Sequence, residues 1–460
     1  MRKIIWGCII FCSACSVGED YISPESYSED TLAQNLNIAA PKPLPQKWYV
    51  DFADLQLTNL VENGLKNNTN IKTAVLRIKQ ARAQLQIAKV AALPQIDAKG
   101  GYNYEKQSKN IGLVADSHYY SAGFDASWEV DLWGKNRRKI EAGRASLKMA
   151  EYTLENIKIV IAAEIAANYI NLRQNVENLR LAEKNARLQQ EILATVKAKY
   201  DNGLADETSY SEAKYLLENT RAQIPQYHAA IERYRNALAT LIGVLPNELP
   251  LDIAKFVPLL TTKIVLRNNL REFPASVVRM RPDVAAAEQN LIAKNALVGA
   301  AVAELYPDIS LSGLWGYASQ GGSKLIRSGS QTYNYAPLVS LPLLDWNRLQ
   351  NNIRLQKYIK KEALANYKQA VLDAVSEIKN AQTAYYENRS AAQNKASALQ
   401  NMRKAADLTQ KKYENGLIEF SEVVRTQQNL ITAEQDYVAI NAKVLQNLIA
   451  FYKAIAAPID

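Results

Sequence analysis

The sequence predicts a mainly α-helical chain that also carries membrane β-strands, built from one unit written twice. Three observations predict it. The hexapeptide Lys199-Tyr200-Asp201-Asn202-Gly203-Leu204 returns far down the chain as Lys412-Tyr413-Glu414-Asn415-Gly416-Leu417. Four short stretches carry apolar residues at alternate positions. Two very long runs, about 136–200 and 347–413, hold no proline and only one glycine, Gly143. The offset from Lys199 to Lys412 also links Leu93-Pro94-Gln95-Ile96 to Tyr306-Pro307-Asp308-Ile309, and Asn70 to Asp283. An offset held at separated places marks a duplication.

At the N-terminus, Met1-Arg2-Lys3 and the apolar Ile4–Phe11 form a charged segment and a hydrophobic segment too short to span a bilayer, which needs roughly 20 apolar residues. All three cysteines fall within the first fifteen residues. Cys12-Ser13-Ala14-Cys15 resembles the end of a bacterial lipoprotein signal, with Cys15 lipidated and becoming residue one. Cys12 stands where leucine is usual, and Cys8 would leave almost no hydrophobic segment. Residues 1–14 are therefore expected to be a signal peptide. Cleavage leaves no thiol for disulfide or metal chemistry. The net charge of +9 falls to +7 without Arg2 and Lys3. The remaining Lys and Arg lie among Glu and Asp along helices with no basic run, so no nucleic-acid partner is expected.

Residues 15–47 are polar and proline-rich, as expected of a lipidated tether. A first repeat is expected over 48–250. It opens with a short helix from Trp48 to about Lys66 and a longer one from Asn70 to Ala92, which Pro94 stops. The period then changes to two. Ile96, Ala98, Gly100, Tyr102 and Tyr104 alternate with polar residues, and so do Tyr120, Ala122, Phe124, Ala126, Trp128 and Val130. These predict strands at about 96–105 and 120–130, each with an aromatic-rich face and a polar face, as a membrane barrel requires. A second repeat, over 275–456, places strands at about 309–318 and 332–342. Four strands cannot close a barrel and an open edge cannot face lipid, so several chains must combine; three copies supply twelve strands.

The long runs predict helical hairpins at 136–243 and 347–456. Every seventh residue from Ile165 through Leu172, Leu179, Ala186 and Leu193 to Tyr200 continues one apolar series. Ile378, Tyr385, Ala392, Leu399, Ala406 and Tyr413 repeat it, and such spacing predicts coiled-coil packing. The hexapeptides end the long helices, their Asn-Gly pairs suiting a left-handed termination. Residues 251–274, with Pro258 and Pro274, read as a crossover.

These features together resemble the TolC-like outer-membrane efflux factors, in their lipoprotein (NodT/OprM-type) branch. The resemblance rests on Cys15 with Asp20-Tyr21, on Trp128-Glu129-Val130-Asp131-Leu132-Trp133-Gly134-Lys135, and on Ala163–Tyr169 with Leu172-Arg173. It rests further on Arg281-Pro282-Asp283 with Ala286 and Glu288, on Tyr306–Gly313 and on both turns. It implies a homotrimeric tube: a 12-stranded barrel in outer-membrane lipid, continuous with a coiled-coil α-barrel and an equatorial domain. It also implies a periplasmic adaptor and an inner-membrane RND-type pump as partners, in a tripartite pump exporting drugs and other small toxic compounds. A duct for type I protein secretion is the alternative. Gly203, Leu204, Gly416 and Leu417 would be the tips that meet the adaptor. Glu212, Glu422 and Arg425 would lie at the periplasmic mouth; Arg425 replaces an acidic residue of the family, and Glu422 sits one turn away to pair with it. His118 and His228 lack partners at metal-ligand spacing and no nucleotide or nucleophile motif appears, so no enzyme and no cofactor beyond the lipid are expected.

Overall fold

A computed structural model describes residues 17–24, 47–106, 108, 110, 117–256, 258–259 and 276–459. Cys8, Cys12 and Cys15, and so the expected lipidation site, lie outside the described residues. The chain folds as two compact units.

The first unit combines residues 17–24 with Leu76–Tyr152 and Ala285–Gln369. Its centre is a four-stranded antiparallel sheet of β1 (Gln95–Glu105), β2 (Ser117–Val130), β3 (Asp308–Ser319) and β4 (Gln331–Ser340), in that spatial order. The two predicted strand pairs thus form one sheet, joined between β2 and β3. The register keeps the two faces apart across all four strands. Ala98, Phe124, Trp315 and Tyr333 make one row, and Asp97, Asp125, Leu314 and Asn334 the next, on the opposite face. At the β2–β3 join Gly123 stands opposite Gly316. A Cβ on Gly316 would lie 2.5 Å from the Ala122 carbonyl oxygen and 2.7 Å from Gly123 Cα, so only glycine permits this approach. Beside it the rings of Phe124 and Trp315 stack 6.4 Å apart.

The Trp128–Lys135 motif turns the chain from strand to helix. Trp128 donates its indole N–H to the Ala92 carbonyl and Trp133 donates to that of Pro307, at 3.1 and 2.8 Å. Lys135 Nζ pairs with Glu129 at 2.5 Å. The Asp131 carboxylate accepts from the backbone N–H groups of Asn136 and Arg137, capping the long helix that begins at Lys135. Residues 17–24, read as tether, are instead pinned to this unit. Asp20 accepts from buried Arg138 at 2.8 Å, and Tyr21 donates its hydroxyl to Glu288 at 3.0 Å.

The second unit combines residues 47–75, 153–284 as far as described, and 370–459. The single helix expected after Trp48 is two elements, a 3₁₀ turn Trp48–Phe52 and α1 (Leu55–Asn67). The break has a local cause. Ala53 is left-handed (φ 49°), and Asp54 accepts from the N–H groups of Gln56 and Leu57 to start the helix afresh. Such a cap contributes about 1 kcal/mol. The turn buries Trp48, Tyr49 and Phe52, with Trp48 stacked on Tyr452 at 5.3 Å. Burying side chains of this size stabilises by about 1.5–3 kcal/mol each.

The longer helices are α2 (Thr69–Val90), α3 (Lys135–Asp201), α4 (Glu207–Ile242), α5 (Pro282–Ala303), α6 (Trp346–Glu414) and α7 (Phe420–Ala454). The repeat offset carries both ends of α2 onto those of α5, and the end of α3 onto the end of α6. Helices α3 and α6 each run through both units. Ile165, Leu172, Ile378, Tyr385, Leu399 and Ala406 of the heptad series are buried. The second unit holds Asp54 in a fork of side chains from α3: Tyr169 donates its hydroxyl at 2.7 Å and Arg173 donates at 3.2 Å. Burial and then the Asp54 charge push the Tyr169 hydroxyl far up, so it stays a donor.

Candidate functional site

Both hexapeptide turns close their helices in the same way. Gly203 (φ 74°) donates its N–H to the Tyr200 carbonyl at 2.9 Å, and Leu204 to that of Lys199 at 2.7 Å. Gly416 (φ 72°) and Leu417 repeat the pair to Tyr413 and Lys412, at 3.0 and 2.9 Å. This is the 5→2 and 6→1 pattern of a Schellman termination, which needs a left-handed residue. The preceding asparagines reach back as well, Asn202 Nδ2 to Ala198 and Asn415 Nδ2 to Lys411, at 2.6 and 2.9 Å. What remains outside is one leucine per turn, with Leu204 77% and Leu417 71% exposed.

The return helices start differently. Asp206 accepts from the Ser209 N–H at 2.9 Å and caps α4, and its hydrogen bonds to the Ser209 side chain and backbone hold its carboxyl below the usual range. Glu419 makes no such cap. The second tip relies on packing instead, with Phe420, Val423 and Val424 buried against Val196 and Ala213 of the first hairpin. Lys199 places its ammonium 4.3 Å from the centre of the Tyr413 ring. Burial, and next the charge of Asp206, push the Tyr413 hydroxyl up. The two tips of one chain therefore share one apolar cluster.

Of the three mouth candidates, the fold brings two together. Arg425 forms an ion pair with Glu422 one turn away, and the Arg425 side chain is 70% exposed. Glu212 is half-buried and makes no ion pair with either among the described residues. Further along the same hairpins lies a polar contact that motif spacing does not reveal. Glu434 is 4% exposed and accepts from Arg403 and Asn185 at 3.0 and 3.3 Å. The repeat holds the signal for it. Arg221 donates to Gln190, and these are the counterparts of Glu434 and Arg403 with donor and acceptor exchanged.

Among the described residues no group of three or more His, Cys, Asp or Glu could hold a metal ion, and no helix is long and apolar enough to cross a membrane.

The family model described as Outer membrane efflux protein matches residues 60–244 and again 275–457. Among curated relatives, the cation efflux system protein CusC of Escherichia coli K12 is 27% identical over 458 residues, 96% of each chain. The toluene efflux pump outer membrane protein TtgF of Pseudomonas putida is 25% identical, covering 97% of this chain and 95% of its own. Among solved structures, the outer-membrane channel OprN superposes with a TM-score of 0.89 at 28% identity, over 96% of this chain and 99% of that one.

Proposed function

The chain belongs to the outer membrane efflux protein family, and from that membership we propose that three copies join their sheets into a twelve-stranded barrel in the outer membrane and their hairpins into a helical conduit. The chain is an outer-membrane efflux channel serving a tripartite pump that exports toxic compounds. One observation carries the assembly. The sheet of a single chain gathers Tyr102, Tyr120, Phe124, Trp315 and Tyr333 on one face and Asp97, Asp125 and Asn334 on the other, yet ends in two open edges, β1 and β4. Such edges are stable in lipid only when another copy pairs with them.

The exposed leucines of the two turns receive the periplasmic adaptor, which links the channel to an inner-membrane pump of the RND type. Glu422 and Arg425 hold the periplasmic mouth. Lipid on Cys15 anchors the N-terminus.

Mass measurement in detergent tests the assembly, and a trimer is expected; a monomer overturns it. Deletion of the channel followed by a drug and bile-acid susceptibility panel tests the cargo. Increased susceptibility is expected. Unchanged susceptibility with loss of a secreted protein supports type I secretion instead.

A further inference from the structure

Because the chain is duplicated, the contact between its two hairpins is also a template for the contact between copies. The duplication preserves detail down to side-chain pairs. Gln190 and Arg221 bridge the first hairpin, and Arg403 and Glu434 bridge the second, at positions related by the repeat offset. Within one chain, Lys199 of the first hairpin lies over the Tyr413 ring of the second. Applying the same offset in both directions gives Lys412 of the second hairpin and Tyr200 of a first hairpin.

Within one chain both of these are available. The Lys412 side chain is exposed and has no partner among the described residues. Tyr200 is 39% exposed, and its ring stacks on that of Tyr210 at 5.6 Å. We propose that a second copy of this chain docks on the free side of the second hairpin with the Lys412 ammonium over its Tyr200 ring, so that intrachain and interchain clasps alternate around the tips. The proposal rests on the ring assembly above and adds the residues that join it.

The two clasps differ in their surroundings. Val196, Phe420 and Val424 surround the intrachain one. Their counterparts at the interchain one are Thr409, Glu207 and Ser211. The joint between copies therefore buries less apolar surface than the joint within a chain, and holds more weakly for the same contact. A cation over an aromatic ring tolerates such a wet setting.

Paired cysteines test the inference in the full-length channel in membranes. With a short bis-maleimide, K412C/Y200C is expected to produce dimer and trimer bands on a denaturing gel. K199C/Y413C is expected to stay at monomer mass, with its cross-link found inside one chain. A K412C/Y200C protein that remains monomeric on that gel, while light scattering still shows a trimer, overturns the clasp and leaves the assembly standing. A wild-type chain that is itself monomeric overturns the assembly. Should the paired variant fail to assemble, a photo-reactive phenylalanine at position 200 alone decides. Capture of the peptide containing Lys412 supports the clasp, and capture of any other peptide, or of none, overturns it.

Discussion

Arg281 donates through Nη1 to the carbonyl of Ala454 at 2.8 Å, and so ties the start of α5 to the end of α7. Its counterpart in the first repeat, Asn68, donates through Nδ2 to the carbonyl of Leu241 at 2.7 Å. The same joint is closed twice with different chemistry. Arg281 also takes Asp283 in a two-pronged contact at 3.0 and 2.6 Å and reaches Glu377 at 2.8 Å. Asn68 turns its carbonyl oxygen to the N–H groups of Asn70 and Ile71 and caps α2.

Replacing Arg281 with Ala leaves a helix-end carbonyl and a largely buried carboxylate without their donor. A loss of about 3 kcal/mol is expected, at the lower end for a broken buried pair because Glu377 is half-exposed. Asn68→Ala removes a cap and one tertiary hydrogen bond, and about 1–2 kcal/mol is expected. Thermal melts of the two purified variants should rank in that order.

The same pair sets a pH dependence. Burial alone raises the Asp283 pKa, but the hydrogen bond and charge of Arg281 outweigh it and hold the carboxyl below its ordinary value. A carboxylate whose folded pKa is depressed binds fewer protons folded than unfolded. Its contribution is complete above the unfolded value, about 3.9, and is lost as pH falls through the folded value. The melting difference between wild type and Asp283→Asn should therefore be largest at neutral pH and shrink below about pH 4; a difference that grows on acidification contradicts the assignment.

At the tips, Gly416→Ala meets no steric obstacle, since nothing lies within 4 Å of the added Cβ. The positive φ alone should destabilise the turn by roughly 1–2 kcal/mol. Both turns carry this requirement, so Gly203→Ala should cost the same. Local hydrogen exchange at Leu204 and Leu417 reports it, and faster exchange is expected in each variant at its own turn.

In the sheet, Gly316→Ala pushes a methyl group into the backbone of β2. The β2–β3 pairing should separate, and the mass measured in mild detergent should fall from that of a trimer toward that of a monomer. Gly313→Ala, whose nearest neighbour would be 3.6 Å away, should keep the trimer mass.

At the mouth, Arg425→Ala removes the partner of Glu422. If that pair holds the mouth, closed-state leak in planar bilayers should rise. An unchanged leak returns Glu422 and Arg425 to the status of solvated surface charges, for which an exposed pair contributes at most about 1 kcal/mol.

The repeat, the four strands and the ends of the long helices were legible in the order of residues. Each follows from local rules: alternation at period two, an unbroken helical run, and an Asn-Gly pair that allows the left-handed residue a helix end prefers. The same rules located the two turns and placed Glu422 and Arg425 one turn apart, because i and i+3 are neighbours on any helix. Strand pairing across the duplication needed three dimensions. The β2–β3 join connects strands that belong to different repeats, and Gly123 and Gly316 show their purpose only when set opposite each other. Packing also set the hold of Arg138 and Glu288 on residues 17–24, and the burial of Glu434 with Arg403 and Asn185. These depend on which surfaces meet, and the spacing of residues along one helix or strand carries no record of its neighbour.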